Sequence, residues 1–170
     1  MPFTKVFTGA DGVLMFSRQE GSAADEILDF YEIEQVGRVK HIEVYTHQDI
    51  RAFYSIGTNL PIELRTGNIK IWGKIGRAFI NGALVRLQLG RYAVEGENPE
   101  SPIAAPSFDI ILHLKTPDVS DDDYDYMTKM TISKVIFDNW SFNIPEDDFV
   151  LEEVTFQALR LLVDDAQPAG

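Results

Sequence analysis

The sequence predicts a mainly β fold: a sandwich or barrel-like protomer of two packed antiparallel sheets with one short flanking α-helix at about residues 77–89. Three observations carry this. Apolar residues recur with period two along most of the chain, Gly, Pro, Asn and Asp fill the intervals between those runs, and one segment shifts to helical spacing. With 170 residues, 45% of them apolar and 11% aromatic, the chain can bury one core, so a single domain over 1–170 is expected.

The elements follow in order. "FTGADGVLMFS" predicts a turn at Asp11-Gly12 before a short strand; in "SAADEILDFYEI" Ser22 and Asp25 fit a helix cap while Phe30-Tyr31-Glu32-Ile33 suits a strand, and a strand from Ile27 onward is favoured. "GRVKHIEVYT" and "RAFYSIG" predict two strands separated by the polar "HQD", and "PIELRTGNIKIWGK" predicts a hairpin turning at Thr66-Gly67-Asn68. In "RAFINGALVRLQLGRY" the apolar residues Phe79, Ile80, Ala83, Leu84 and Leu87 fall at helical intervals, with Gly90 as the stop. From Phe108 to Leu114 alternation puts Phe108, Ile110, Leu112 and Leu114 on one face, with Asp109 and His113 on the other. Met130–Ile144 forms a long strand whose phase slips near Asp138, as a bulge would cause. Val154–Val163 closes the pattern with apolar residues on both faces. Polar stretches at 95–107 and 116–127 are long loops, where contacts with partners concentrate.

Charge narrows the function. The net charge is −12, yet residues 1–90 hold ten Lys/Arg and ten Asp/Glu, so the whole excess lies in residues 91–170, with five against seventeen. Such a surface repels phosphate and argues against ordinary nucleic-acid binding. The absence of cysteine removes disulfides, Cys-containing zinc sites and thiol nucleophiles. No apolar run approaches a membrane span, so a soluble protein without membrane partners is expected.

Motif chemistry yields little. Asp121, Asp123 and Asp125 occupy positions one, three and five of a calcium loop, but Tyr126 stands where the turn needs Gly and Ile132 where a bidentate Glu belongs. "GNIKIWGK" has one residue too many for a phosphate loop, and Ile75 replaces the magnesium-holding Ser or Thr. His41, His47 and His113 lie far apart in sequence, without ligand spacing. Trp72, Trp140, Phe142, Phe149 and Phe156 suit either a sugar or base platform or the core, and their strand phase favours the core. No cofactor and no catalytic residue is expected.

Three stretches carry a family resemblance: "TKVFTGADGVLMF", "YSIGTNLPIELRTGNIKIWGKIGRAFINGALVRLQLG" and "KVIFDNWSFNIPEDDFVLEEVTFQALRL". Their order and spacing resemble those of bacteriophage tail tube proteins. The resemblance implies a structural protein that self-assembles into stacked hexameric rings, forming a hollow conduit for genome ejection within a virion tail assembled in the host cytoplasm. It also implies partners: further copies of the chain, a tape measure protein, baseplate or tail-tip proteins, a tail terminator, a sheath, and DNA in passage without specific binding. Under that reading Asp109 and Asp138 are candidate acids of the channel wall, where negative charge keeps DNA from sticking. Asp118, Asp121, Asp122, Asp123 and Asp125 form a candidate inter-subunit or inter-ring loop. Two other readings compete: a tube protein of a bacterial contractile injection or secretion machine, and a monomeric β-sandwich that binds a carbohydrate.

Overall fold

A computed structural model of the chain describes residues 9, 12–17, 39–79, 81–93, 106–115 and 126–165. The described elements are β1 (Gly12–Ser17), β2 (Val39–Phe53), β3 (Glu63–Ala78), α1 (Ala83–Leu89) followed by a 3₁₀ turn (Gly90–Ala93), β4 (Phe108–Lys115), β5 (Tyr126–Asn143), β6 (Leu151–Ala158) and β7 (Arg160–Asp165). The seven strands form one antiparallel sheet in the order β1-β4-β5-β6-β3-β2, with β7 beside β5. The mainly β class with one short helix stands. The two sheets of the expectation are joined through β5, which serves both halves of a curled half-barrel.

β5 can do this because it is long and its register shifts at three points, one of them at its start opposite Leu114–Lys115. Its first half pairs with β4 on one edge, while its other edge pairs with β7 and then β6 along its whole length. Register slips occur between Phe137 and Asn139, where the sequence phase predicts a bulge, and opposite Phe108–Ile110. Lys134 takes a left-handed backbone (φ 52°), and its amide donates to Asp109 Oδ1 at 2.9 Å. Bulges bend and twist a strand locally, so the sheet curls about these points.

The concave side holds the core. Leu14 and Phe16 of β1, Ile75 of β3, Phe108 and Ile110 of β4, Ile132, Val135 and Phe137 of β5, and Val154 and Phe156 of β6 meet Ala83, Leu84 and Leu87 of α1. Phe108 lies edge-on to both Phe16 and Phe137, with centroids 5.0 and 4.9 Å apart. One polar group is sealed in beside them. Arg77 and Glu152 are buried as an ion pair, Glu152 Oε2 accepts from Trp140 Nε1 at 2.9 Å, and Asn81 accepts from Arg77 Nη2 at 3.3 Å. Burial of two charges is tolerable because each is paired and further hydrogen-bonded.

Several expected elements shift. α1 begins at Ala83, because residues 77 and 78 belong to β3, where Arg77 is held by Glu152; the Asn81 carboxamide accepts the Ala83 amide at the helix start. Gly90 ends the helix as predicted, at φ 58°. The two strands predicted around "HQD" are one strand, β2, with a register shift between Gln48 and Ile50. No turn exists at 66–68: β3 runs through it. Gly67 marks a close approach, since a Cβ there would sit 3.1 Å from Asp49 Cβ. The reversal comes at 54–62, with Gly57 at φ 92° and Thr58 N–H bonded to Ser55 O at 3.4 Å. The last run divides at Leu159, whose amide bonds Ser133 O, and Leu159, Leu162 and Val163 remain exposed. The strand predicted from Ile27 and the turn residue Asp11 lie outside the described residues.

Candidate self-association surface

The β2–β3 hairpin is longer than the sheet that carries it. β6 pairs with β3 only from Ile71 to Ala78, so the hairpin beyond Ile71 projects as a two-stranded arm. Every residue from Tyr45 to Lys70 is exposed. An isolated two-stranded ribbon buries little, and this one leaves Ile50, Phe53, Tyr54, Leu60, Ile62, Leu64 and Ile69 open to solvent, each at least 57% accessible. So many large apolar side chains left open on one arm are what an interaction surface presents.

Register sorts the arm into two faces. Ala52 lies opposite Leu64 and Ile50 opposite Thr66, which gives an apolar face. Arg51 lies opposite Arg65 and Phe53 opposite Glu63, which gives a charged one. Arg65 Nε donates to Glu63 Oε1 at 2.8 Å, whereas Arg51 makes no ion pair with any described residue. Like charges placed directly opposite disfavour the ribbon unless an anion arrives from elsewhere.

The convex face of the sheet is different in character. Its residues alternate with the core: Glu43 and Tyr45 on β2, Lys70, Trp72 and Lys74 on β3, and Glu153, Thr155 and Gln157 on β6. Tyr45 stacks on Trp72 with centroids 5.6 Å apart, and Lys70 Nζ lies 5.2 Å from the Trp72 ring centre. Lys74 Nζ is 3.4 Å from Glu43 Oε2, which also accepts from Tyr45 Oη at 2.8 Å. The Tyr45 hydroxyl, more than the Lys74 charge, holds the Glu43 carboxyl below its ordinary value. His41 reaches over Gly76 to within 3.4 Å of Glu153 Oε2, bridging β2 to β6 across β3.

The candidate channel acids both sit at register shifts, Asp138 within β5 and Asp109 within β4 where it pairs with β5. Asp138 emerges on this convex face and accepts from Thr155 Oγ1 and, at 3.1 Å, from Gln157 Nε2. Burial pushes its carboxyl up, but these bonds and two from the backbone outweigh that and leave it lower than 3.8. Asp109, opposite in phase to Phe108 and Ile110, is occupied with the Lys134 amide. Asp118, Asp121, Asp122, Asp123 and Asp125 lie outside the described residues, as does most of the 95–107 loop. Of the aromatic candidates, Phe156 is core, Trp140 stacks on Phe142 above Glu152, Trp72 lies on the convex face and Phe149 is exposed. Among the described residues no three His, Asp or Glu side chains gather as metal ligands would.

No protein-family model matches the chain, and comparison with curated proteins by sequence finds no match. Fold comparison does. The chain resembles a subunit of an extracellular contractile injection system's sheath-tube complex, the PVC particle in its extended state, with a TM-score of 0.65 at 10% identity over 96% of this chain and 94% of that one. The two chains share a fold. The anti-feeding prophage tube-terminating cap matches with a TM-score of 0.64 at 10% identity over 98% and 95% of the two chains. The SPP1 tail tube matches at 0.61 and 10% identity, over 95% of this chain and 80% of that one. Those matched chains come from tube assemblies and a tube-terminating cap.

The sequence pattern did not expose the arm as an interface. Apolar residues occur at both parities between Ile50 and Ile69, so alternation could not separate a buried face from a free one. A readable signal existed in the combined length of β2 and β3, fifteen and sixteen residues, against the eight of β6, which pairs with β3.

Proposed function

We propose that the chain is the subunit of a hollow tube, assembling as stacked hexameric rings that conduct DNA out of a virion tail. One observation carries the reading: on a tail tube fold that spans nearly the whole chain, the β2–β3 arm is exposed throughout and open on both faces, as a piece of an interface lacking its partner. Among the described residues β2, β7 and β1 each leave one sheet edge unpaired, which adds main-chain donors and acceptors for neighbouring copies. A head-to-tail contact that closes at sixfold rotation makes a ring, and one that repeats axially makes a tube.

In this reading the convex face lines the bore. Asp138, Glu43 and Glu153 then lie along it beside Lys70 and Lys74, with Asp109 further along the same face, and the acids discourage lasting phosphate contact. The loop bearing Asp118, Asp121, Asp122, Asp123 and Asp125 takes part between subunits or rings. A tape measure protein, a terminator, tail-tip or baseplate proteins and a sheath are the partners such a tube requires, and assembly takes place in the host cytoplasm. The likeness to contractile injection particles favours a second reading, a tube that conducts protein instead of DNA. Genomic neighbours separate the two: terminase and capsid genes in one case, effector genes in the other.

Negative-stain electron microscopy across a range of concentrations tests the proposal. Rings or hollow tubes with sixfold end views are expected. Monomers at every concentration, together with saturable sugar binding, would overturn it.

A further inference from the structure

The arm has an opposite number at the far end of the same strands. At the close of β3 and β5 and the start of β6, the side chains of Phe79, Phe142, Ile144, Phe149 and Leu151 are all exposed. Phe79 packs edge-on to Phe142 at 4.9 Å, and Phe142 stacks on Trp140 at 5.4 Å, so this apolar patch is ordered around a fixed aromatic step. A cavity of about 330 Å³ opens beside it, with Phe142, Leu151, Arg77 and Glu152 among the residues that line it. The turn that frames the patch carries Glu146, Asp147 and Asp148, all exposed. None of the three makes an ion pair with any described residue; Asp148 accepts only the Phe149 amide, at 2.7 Å.

Resting on the tube reading above, we propose that this patch is the receptor for the β2–β3 arm of a second copy of the chain. Both components match. The arm offers Ile50, Ala52 and Leu64 on one face and two guanidinium groups against one carboxylate on the other; the receptor offers aromatic and aliphatic side chains rimmed by three carboxylates. Arg51 and Arg65, unfavourable side by side, gain counter-charges, and the carboxylates of the turn gain cations that no described residue of their own chain supplies.

The occupant cannot be the chain's own arm. β3 is a single continuous strand from Glu63 to Ala78, so Leu64 and the receptor end stand about 45 Å apart along a sheet strand that cannot fold back. A contact between opposite ends of two copies is heterologous, leaves one free arm and one free receptor at each terminus, and propagates. The carboxylates of the "IPEDDF" turn thereby serve as rim contacts that set register and orientation for the apolar residues beside them.

The chain contains no cysteine, which makes cross-linking clean. Arg51→Cys combined with Asp147→Cys, oxidised under assembly conditions, is expected to give a ladder of covalent multimers on a non-reducing gel. Arg51→Cys with Asp164→Cys, on β7, is expected to give none. In parallel, Arg51→Glu/Arg65→Glu and Glu146→Lys/Asp147→Lys/Asp148→Lys are each expected to raise the concentration needed for assembly at least tenfold. The five substitutions combined are expected to bring it back to within about threefold of wild type. All five sites are exposed, and circular dichroism verifies that each variant is folded. Wild-type tubes with no 51–147 ladder, or with a 51–164 ladder in its place, overturn the receptor and leave the tube standing. Failure of the combined variant to regain assembly overturns the receptor as well. A wild type that remains monomeric at every concentration overturns both.

Discussion

Replacing Glu152 with glutamine removes one charge from the sealed Arg77–Glu152 pair while keeping the side chain's size and its capacity to accept from Trp140. The side chains of Arg77 and Glu152 are 2% and 0% exposed, so water cannot take over as the counter-charge. The substitution leaves a guanidinium buried beside Ile75 and Val154 with only Asn81 for company. Orphaning one member of a buried pair costs about 3–5 kcal/mol. For a chain of 170 residues, at about 2–4 °C per kcal/mol, Tm is expected to fall by about 6–20 °C. The assay is urea unfolding followed by tryptophan fluorescence, run at a concentration where the chain is monomeric so that assembly does not add to stability. An unchanged slope with a lowered midpoint identifies a loss of stability and not a change in the unfolded state. A loss below about 1 kcal/mol, the scale of an exposed ion pair, refutes the reasoning. The double variant Arg77→Met/Glu152→Leu sharpens the test. It is expected to lie within about 2 kcal/mol of wild type, because the penalty comes from an unpaired charge, while the Trp140 N–H loses its acceptor and Asn81 loses only the long bonds from Arg77.

Gly73→Ala is expected to cost about 1–3 kcal/mol in the same urea assay, since the new Cβ would meet the Glu43 carbonyl at 2.1 Å and Phe156 Cζ at 2.7 Å and must push strands apart. Gly76→Ala three residues on meets only the exposed His41 ring, so it is expected to cost less than about 1 kcal/mol while displacing His41 from Glu153, which a histidine-resolved NMR spectrum detects. Asp138, whose folded carboxyl is held below its ordinary 3.8, contributes stability that is present above that value and is lost as pH falls through the lower folded value. Asp138→Asn therefore flattens the acid limb of a midpoint-against-pH curve; an unaltered acid limb contradicts the hydrogen-bond assignment. Asp109→Ala is expected to cost about 1–2 kcal/mol, because it strands the Lys134 amide at a left-handed residue, and Lys134→Gly in the Asp109→Ala background is expected to recover part of that loss.

Local periodicity determined a good deal about this protein. Alternation at Phe108–Leu114 fixes which side chains enter the core, the phase slip at Asp138 marks the β5 bulge, and Gly90 supplies the left-handed residue that ends α1. These are interactions among near neighbours, and side-chain period and φ preference record them directly. Tertiary structure alone decided the rest. The turn expected at Gly67 became a close approach to Asp49, because a glycine that permits a turn equally permits two backbones to meet. Asp109 and Asp138 became bulge ligands once their partners, Lys134 and the Thr155–Gln157 pair, arrived from distant strands. The arm depends on strands that outrun β6, its proposed receptor on strand ends that β3, β5 and β6 bring together, and no window of sequence records what lies beside it in the sheet. Charge totals likewise located an acid excess in the second half but could not divide it between a buried Glu152, bulge ligands and an exposed turn. That division depends on which carboxylates meet a donor, and donors are brought to them only by the fold.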